Sequence, residues 1–208
     1  MMVHSLKVVG IGDSTTAGTP HFRSPLEVPP NGEGNPESQY SFWMMKLHPD
    51  WEVLNKGVNG QRSDEILQRF PRDVILEKPD YAIVLAGVND VYQGRSVESV
   101  KSNLAAMYSA SMTAGIRVVA ATILPYNAMS RREAEAIREL NRWVREKAKG
   151  LGILFCDTNA AVAHPADPSL LRGSPDGLHP DVLGYRIMGE RFARTIEDDQ
   201  SRAASRPR

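Results

Sequence analysis

A chain of 208 residues is long enough for one α/β unit with a substantial core. Hydrophobic residues make up 41% and charged residues 24%, an ordinary globular composition. The 25 basic side chains are balanced by 25 acidic ones, which argues against a nucleic-acid binder, since that class carries a basic surplus. No apolar stretch approaches the roughly 20 residues of a membrane span. The amino terminus lacks the basic-then-apolar pattern of a secretory signal, so a cytoplasmic location is expected, although a processed secreted form would read the same. The single cysteine, Cys156, excludes an internal disulfide and reads as a buried thiol closing an apolar run.

In chain order, residues 6–11 form a short apolar run that predicts the first strand of a buried sheet. Directly behind it stands Gly12-Asp13-Ser14-Thr15. Residues 19–37 are rich in Pro, Gly and Asn and show little apolar periodicity. A connection this long is uncommon unless it has a role. It is either a lid or wall of a substrate site, or an oligomer contact or insertion. Residues 51–55 predict the second strand. From Ser63 a helix is expected, with Ile66, Leu67, Phe70 and Val74 on one stripe. Residues 81–86 are the third strand. A helix from Ser96 carries Val97, Val100, Leu104 and Met107, and Gly115 is placed to stop it. Residues 116–121 are the fourth strand. Ser130 to Glu133 is a capping-box sequence that opens a helix burying Ile137, Leu140 and Val144, with Gly150 expected at its end. Residues 152–156 are the fifth strand. A second long loop, 158–178, leads to Asp176-Gly177-Leu178-His179-Pro180. The last helix is expected from about Asp181, burying Tyr185, Met188, Phe192 and Ile196. Residues 199–208 have no apolar face and are expected to be a disordered tail to a domain of residues 1–198.

Five strand-then-helix repeats imply a parallel sheet covered on both faces, a three-layer α/β/α sandwich. The flavodoxin-like strand order 2-1-3-4-5 is the expected one. In that order the loops after strands one, two and three lie side by side at the carboxyl edge of the sheet, where α/β proteins place their chemistry.

A serine hydroxyl needs a base within hydrogen-bond reach, and the base needs a partner that fixes its tautomer. Ser14 supplies the hydroxyl, His179 the imidazole and Asp176 the carboxylate. Acyl transfer also needs donors aimed at the oxygen that becomes negative. Gly60, in the loop after strand two, allows close approach of a backbone N–H. Asn89, after strand three, offers a side-chain amide. Asp13 is expected to tie down the serine loop through backbone hydrogen bonds, and Asp90 to organise the turn after strand three. His164 lies in the crossing loop with no carboxylate arranged to orient it. His4, His21 and His48 read as surface or loop residues. Arg131, Arg132 and the later arginines of that helix read as its solvated face.

These motifs together resemble those of the SGNH hydrolases, also called GDSL-type esterases and lipases, and the resemblance spans roughly residues 7–196. Gly12-Asp13-Ser14-Thr15 matches the first block and Gly60 the second. Gly87-Val88-Asn89-Asp90 matches the third, and Asp176-Gly177-Leu178-His179-Pro180 the last. The resemblance implies a serine hydrolase of carboxylic esters that needs no metal or organic cofactor, with a small-molecule ester as its partner. It implies Ser14 as nucleophile, His179 as base and Asp176 as the partner of the base. Ser14 N–H, Gly60 N–H and the Asn89 amide are implied as the oxyanion hole. Thr15 stands where the named motif has leucine, a departure that bears on substrate preference. Short acyl or acetyl esters are the favoured substrates, with thioesters and lysophospholipids as alternatives inside the family.

Two readings from other classes use the same residues. A metal-dependent phosphoesterase would draw ligands from Asp13, Asn89, Asp90, Asp176 and His179, but such sites ordinarily use more closely spaced histidines. A flavin-binding module would cradle a phosphate in residues 14–18, beside an unfavourable Asp13 and with no role for the Asp–His loop.

Overall fold

The computed structural model describes residues 5–205. Its frame is a parallel sheet of five strands: β1 (Lys7–Gly12), β2 (Glu52–Gly57), β3 (Tyr81–Leu85), β4 (Arg117–Ala121) and β5 (Leu154–Cys156). The order across the sheet is β2-β1-β3-β4-β5, the expected one. The central strand β1 pairs Val8 with Val53 on one side and with Tyr81 on the other. Gly12, at its carboxyl end, pairs with Gly57 and Leu85.

Side chains alternate across the pleat and feed two cores. Tyr81, Ile83 and Leu85 enter one core with Val8, while Ala82, Val84 and Ala86 enter the other with Val9 and Ile11. The first core is closed by α2 (Tyr40–Leu47) and α8 (Val182–Ala204) through Tyr40, Met44, Tyr185, Met188, Phe192 and Ile196. The second is closed by α3 (Ser63–Phe70), α5 (Val97–Thr113) and α6 (Arg131–Leu151) through Ile66, Phe70, Leu104, Met107, Leu140 and Val144. Each such side chain contributes about 1.5–3 kcal/mol relative to exposure, and both faces of the sheet are dry. Three short helices sit at the carboxyl edge: α1 (Ser14–Ala17), α4 (Val88–Tyr92) and α7 (Thr158–Val162).

Several expectations are corrected. The helix α2 has no counterpart in the sequence reading. It follows the long loop, and its apolar residues form no clean stripe. The expected stop at Gly150 moves two residues on: Gly150 lies inside α6, and Gly152 takes the left-handed cap at φ +67. The tail expected to be disordered from Asp199 instead continues α8 through Ala204. Asp199 is buried and accepts from Tyr81 Oη at 2.8 Å and from Arg117 Nη2 at 2.5 Å, so its fixed partners lie on β3 and β4 rather than in its own neighbourhood. Residues 206–208 lie outside the described residues.

The 19–37 loop folds a small antiparallel ribbon, Phe22–Arg23 against Glu33–Gly34. Phe22 is buried, Ser24 Oγ donates to Gly57 O at 2.6 Å, and Glu27 accepts from Asn59 N at 2.9 Å. The loop therefore braces the turn after β2. The 158–178 loop likewise carries α7 and a ribbon of Ala163–His164 against Asp167–Leu171. Among the described residues no helix is long and apolar enough to cross a membrane.

Candidate active site

The nucleophile candidate is positioned by a strand that stops abruptly. Asp13 caps α1: its Oδ1 accepts from Thr15 N at 3.0 Å, and its carbonyl accepts from Thr16 N and Ala17 N. Ser14 is thereby the first helical residue, whose amide has no acceptor within the helix. Glycine at 57 is required by proximity, because a Cβ there would collide with the α1 backbone at Ala17. Burial pushes the Asp13 carboxyl up to about 7, against the pull of the Thr15 amide, with Asp90 adding repulsion.

His179 reaches this turn from the far end of the chain. Its Nε2 lies 2.9 Å from Ser14 Oγ, and its Nδ1 lies 2.7 Å from Asp176 Oδ2. The other oxygen of Asp176 accepts from Leu178 N at 2.9 Å and from His179 N at 2.8 Å, and Gly177 takes φ +78 to close the turn. Ser174 Oγ donates to His179 O at 2.6 Å. Burial works to raise the Asp176 carboxyl, but the bonds from the imidazole and the two amides outweigh it and hold the group down at about 2. An ionised Asp176 accepts the hydrogen bond of Nδ1–H and keeps the ring proton on that nitrogen, which leaves Nε2 free to accept from Ser14.

The same rim holds the other residues singled out from sequence. Asn89 stands in the first turn of α4, after Gly87 at φ +122, and its Nδ2 donates to Gln61 O at 2.9 Å. An amide nitrogen carries two hydrogens, so one remains for a ligand. Gly60 adopts φ +77, and no protein atom lies within 4 Å of where its Cβ would be, so positive φ rather than packing calls for glycine. Asp90 does more than shape its own turn. It accepts from Ser63 N at 2.8 Å and from Ser63 Oγ at 2.7 Å, tying α4 to the start of α3. Burial raises its carboxyl above the ordinary range although both Ser63 bonds oppose this.

A cavity of about 160 Å³ opens beside Ser14 and His179. Asn59 and Asn89 form its polar side, and Val88, Tyr92, Tyr126 and Leu178 its apolar side. No residue of the 19–37 loop lines it, so the wall reading of that loop gives way to the bracing role. Sequence reasoning missed the apolar side. Tyr92 lies three residues after Asn89 on α4, a spacing that would have revealed it, whereas Tyr126 sits in an irregular segment with no pattern. Arg69 was missed as well. It is buried, pairs with Asp73 at 3.0 Å, and donates to Gly12 O at 2.8 Å and Lys56 O at 2.9 Å, clamping the ends of β1 and β2 together. The Arg69–Asp73 spacing on a helix was the available signal.

The remaining histidines stand apart. His164 accepts from Ala166 N in its ribbon, and His48 stacks on Trp51 and pairs with Glu197 at 2.7 Å. His21 lies in the 19–37 loop, and His4 is outside the described residues. Cys156 is buried, and burial pushes its thiol up to about 11. Among the described residues no group of three or more His, Cys, Asp or Glu is placed to hold a metal ion.

A hydroxyl, an imidazole and a carboxylate in series on the rim of a doubly wound sheet form the working arrangement of serine hydrolases. The model of the GDSL-like Lipase/Acylhydrolase family matches residues 11–187, and the chain belongs to that family. It is a carboxylic ester hydrolase. An acetylxylan esterase of Geobacillus stearothermophilus is 28% identical over 69% of this chain and 71% of its own length. Among solved structures, a protein assigned to the G-D-S-L lipolytic family from Desulfitobacterium hafniense superposes with TM-score 0.76 at 29% identity, covering 91% of this chain and 98% of its own. The structure of the Geobacillus acetylxylan esterase superposes with TM-score 0.71 at 24% identity, covering 92% and 94%.

Proposed function

We propose that this hydrolase cleaves short-chain, above all acetyl, esters through Ser14, His179 and Asp176. The observation that carries the proposal is the unbroken hydrogen-bond series from Ser14 Oγ through the imidazole to Asp176. Ser14 Oγ attacks the ester carbonyl carbon as its proton passes to His179 Nε2. The negative oxygen is held by Ser14 N–H, Gly60 N–H and the Asn89 amide. Collapse breaks the bond to the leaving oxygen, which takes the proton from His179, and an acyl-serine remains. Water then gives a proton to His179 Nε2 as it attacks the acyl carbon; the bond from that carbon to Ser14 Oγ breaks, Oγ takes the proton back from His179, and the acid leaves. Every step uses protein groups and water.

The short acyl group is supported by the cavity. Its 160 Å³ beside Ser14 has room for about five water-sized groups, and Tyr126 and Val88 bound it. The relative that acts on acetylated xylan points the same way. The test is kcat/KM for p-nitrophenyl acetate, butyrate and octanoate, with an acetylated sugar and an acyl-CoA alongside. A fall of tenfold or more from acetate to octanoate is expected. A flat or rising series would remove the short-chain assignment and favour lysophospholipid or thioester substrates.

Asn89→Ala is expected to lower kcat for the acetate by about 10²-fold with little change in KM, because its amide serves an oxygen that is negative only in the transition state. Steady-state kinetics decide this. A change confined to KM would make Asn89 a ground-state binding residue.

A further inference from the structure

Arginines at 138, 142 and 145 read in sequence as part of the solvated face of α6, and all three are exposed. They also line an open groove of about 520 Å³ at the carboxyl end of β4 and β5. Thr122, Asn141 and Asn159 line the same space, as does the ribbon residue Asp167. The two asparagines are fixed: Asn141 bonds both the N–H and the carbonyl of Ile123, and Asn159 Nδ2 donates to the same carbonyl.

Two carboxylates share the groove and both are engaged. Asp157 accepts from Arg145 Nη2 at 2.5 Å, Thr122 Oγ1 at 3.0 Å and Ala160 N at 3.1 Å. Asp167 accepts from Ser169 N and Oγ within its own turn. The guanidinium groups of Arg138 and Arg142 have no ion pair or hydrogen-bond partner among the described residues. They sit four residues apart on one helix face, neighbours at about 5–6 Å between Cβ atoms. Three cations against two carboxylates leave the groove with a positive surplus, and the two unpaired guanidinium groups carry it.

The groove also adjoins the catalytic cavity. Pro125 lines the groove, and the next residue, Tyr126, lines the cavity of Ser14. Asn127 N donates to Gly177 O at 2.7 Å, and Asn127 Oδ1 accepts from Leu171 N at 2.9 Å, so this dividing segment is bonded to the loop of Asp176 and His179.

We propose that this groove binds a carboxylate or phosphate group on the alcohol side of an extended ester, through charge-assisted bonds from Arg138 and Arg142. The proposal rests on Ser14 being the point of attack. An acetylated uronic acid represents the carboxylate source, an acetylated sugar phosphate the phosphate source, and the matching acetylated neutral sugar the reference. The readout is the ratio of kcat/KM for each anionic ester to that for the neutral one, in the wild type and in R138Q/R142Q. The wild-type ratio is expected to exceed ten for at least one anion, expressed in KM and weakened by salt, and to fall at least tenfold in the variant. The anion whose ratio collapses identifies the source. A wild-type ratio near one for both anions, or a ratio that survives in a variant with an unchanged unfolding midpoint, overturns the proposal. If the wild type hydrolyses none of the esters, the catalytic reading fails separately. The groove is then judged by calorimetric titration with glucuronate and glucose phosphate: binding lost in the variant supports it, and no binding to the wild type overturns it.

Discussion

Ser14→Ala is expected to lower kcat for p-nitrophenyl acetate by about 10⁴-fold or more, with the thermal unfolding midpoint within a few degrees of wild type. The substitution removes the one atom that would form the bond to the acyl carbon. It leaves the strand-to-helix turn intact, because Asp13 makes that turn through backbone amides that alanine keeps. Ser14 is buried, but only one oxygen is lost, and among the described residues its one side-chain partner is the imidazole. Fold and turnover should therefore separate cleanly. A variant that retains more than a hundredth of the wild-type rate would end the assignment of Ser14.

Asp176→Asn is expected to cost about 10³–10⁴-fold in kcat while KM changes little. An asparagine oxygen can still accept from Leu178 N and His179 N. Its NH₂ would then face His179 Nδ1, and that nitrogen would have to accept. The ring proton would shift to Nε2, where it opposes abstraction from Ser14. The wild-type carboxyl is held at about 2, with burial opposed and outweighed by the bonds from the imidazole and two amides. A carboxyl lowered in the folded state contributes stability above its ordinary value of about 3.9, and that contribution is lost as pH falls toward 2. Asp176 is thus ionised throughout an assay between pH 5 and 8, and any rise of rate with pH in that window belongs to another group. Stopped kinetics of the purified variant check the first point. A loss below tenfold would leave Asp176 as a packing residue of the turn.

The parts of the molecule that sequence disclosed are those whose cause is local or periodic. Val8, Ile83 and Val119 sit in short apolar runs, and such runs are strands when both faces are covered. Ser130 and Glu133 form the expected box, with Ser130 N donating to Glu133 at 2.6 Å. The meeting of Ser14 with His179 followed from strand order, since the long 158–178 loop has the reach to return across the rim. What stayed hidden depends on partners far along the chain. Asp199 has nothing in its own stretch to hold it, yet Tyr81 and Arg117 bury it. Sequence places Asp90 in its own turn because its partner, Ser63, is 27 residues away. The helix α2 went unseen because it is wedged between the sheet and α8, where Tyr40, Ser41 and Met44 are all buried and polar and apolar residues do not segregate by period. Gly150 and Gly152 are equally able to end a helix, and only the position of β5 selects the second.

The contact between Ser14 and His179 joins residues 165 positions apart. Closing so long a span costs chain entropy that is repaid only by the contacts of the intervening layers. During synthesis Ser14 leaves the ribosome long before His179 does. On the proposed roles of Ser14 and His179, ester cleavage by a refolding chain should return together with the completed sheet and not before it.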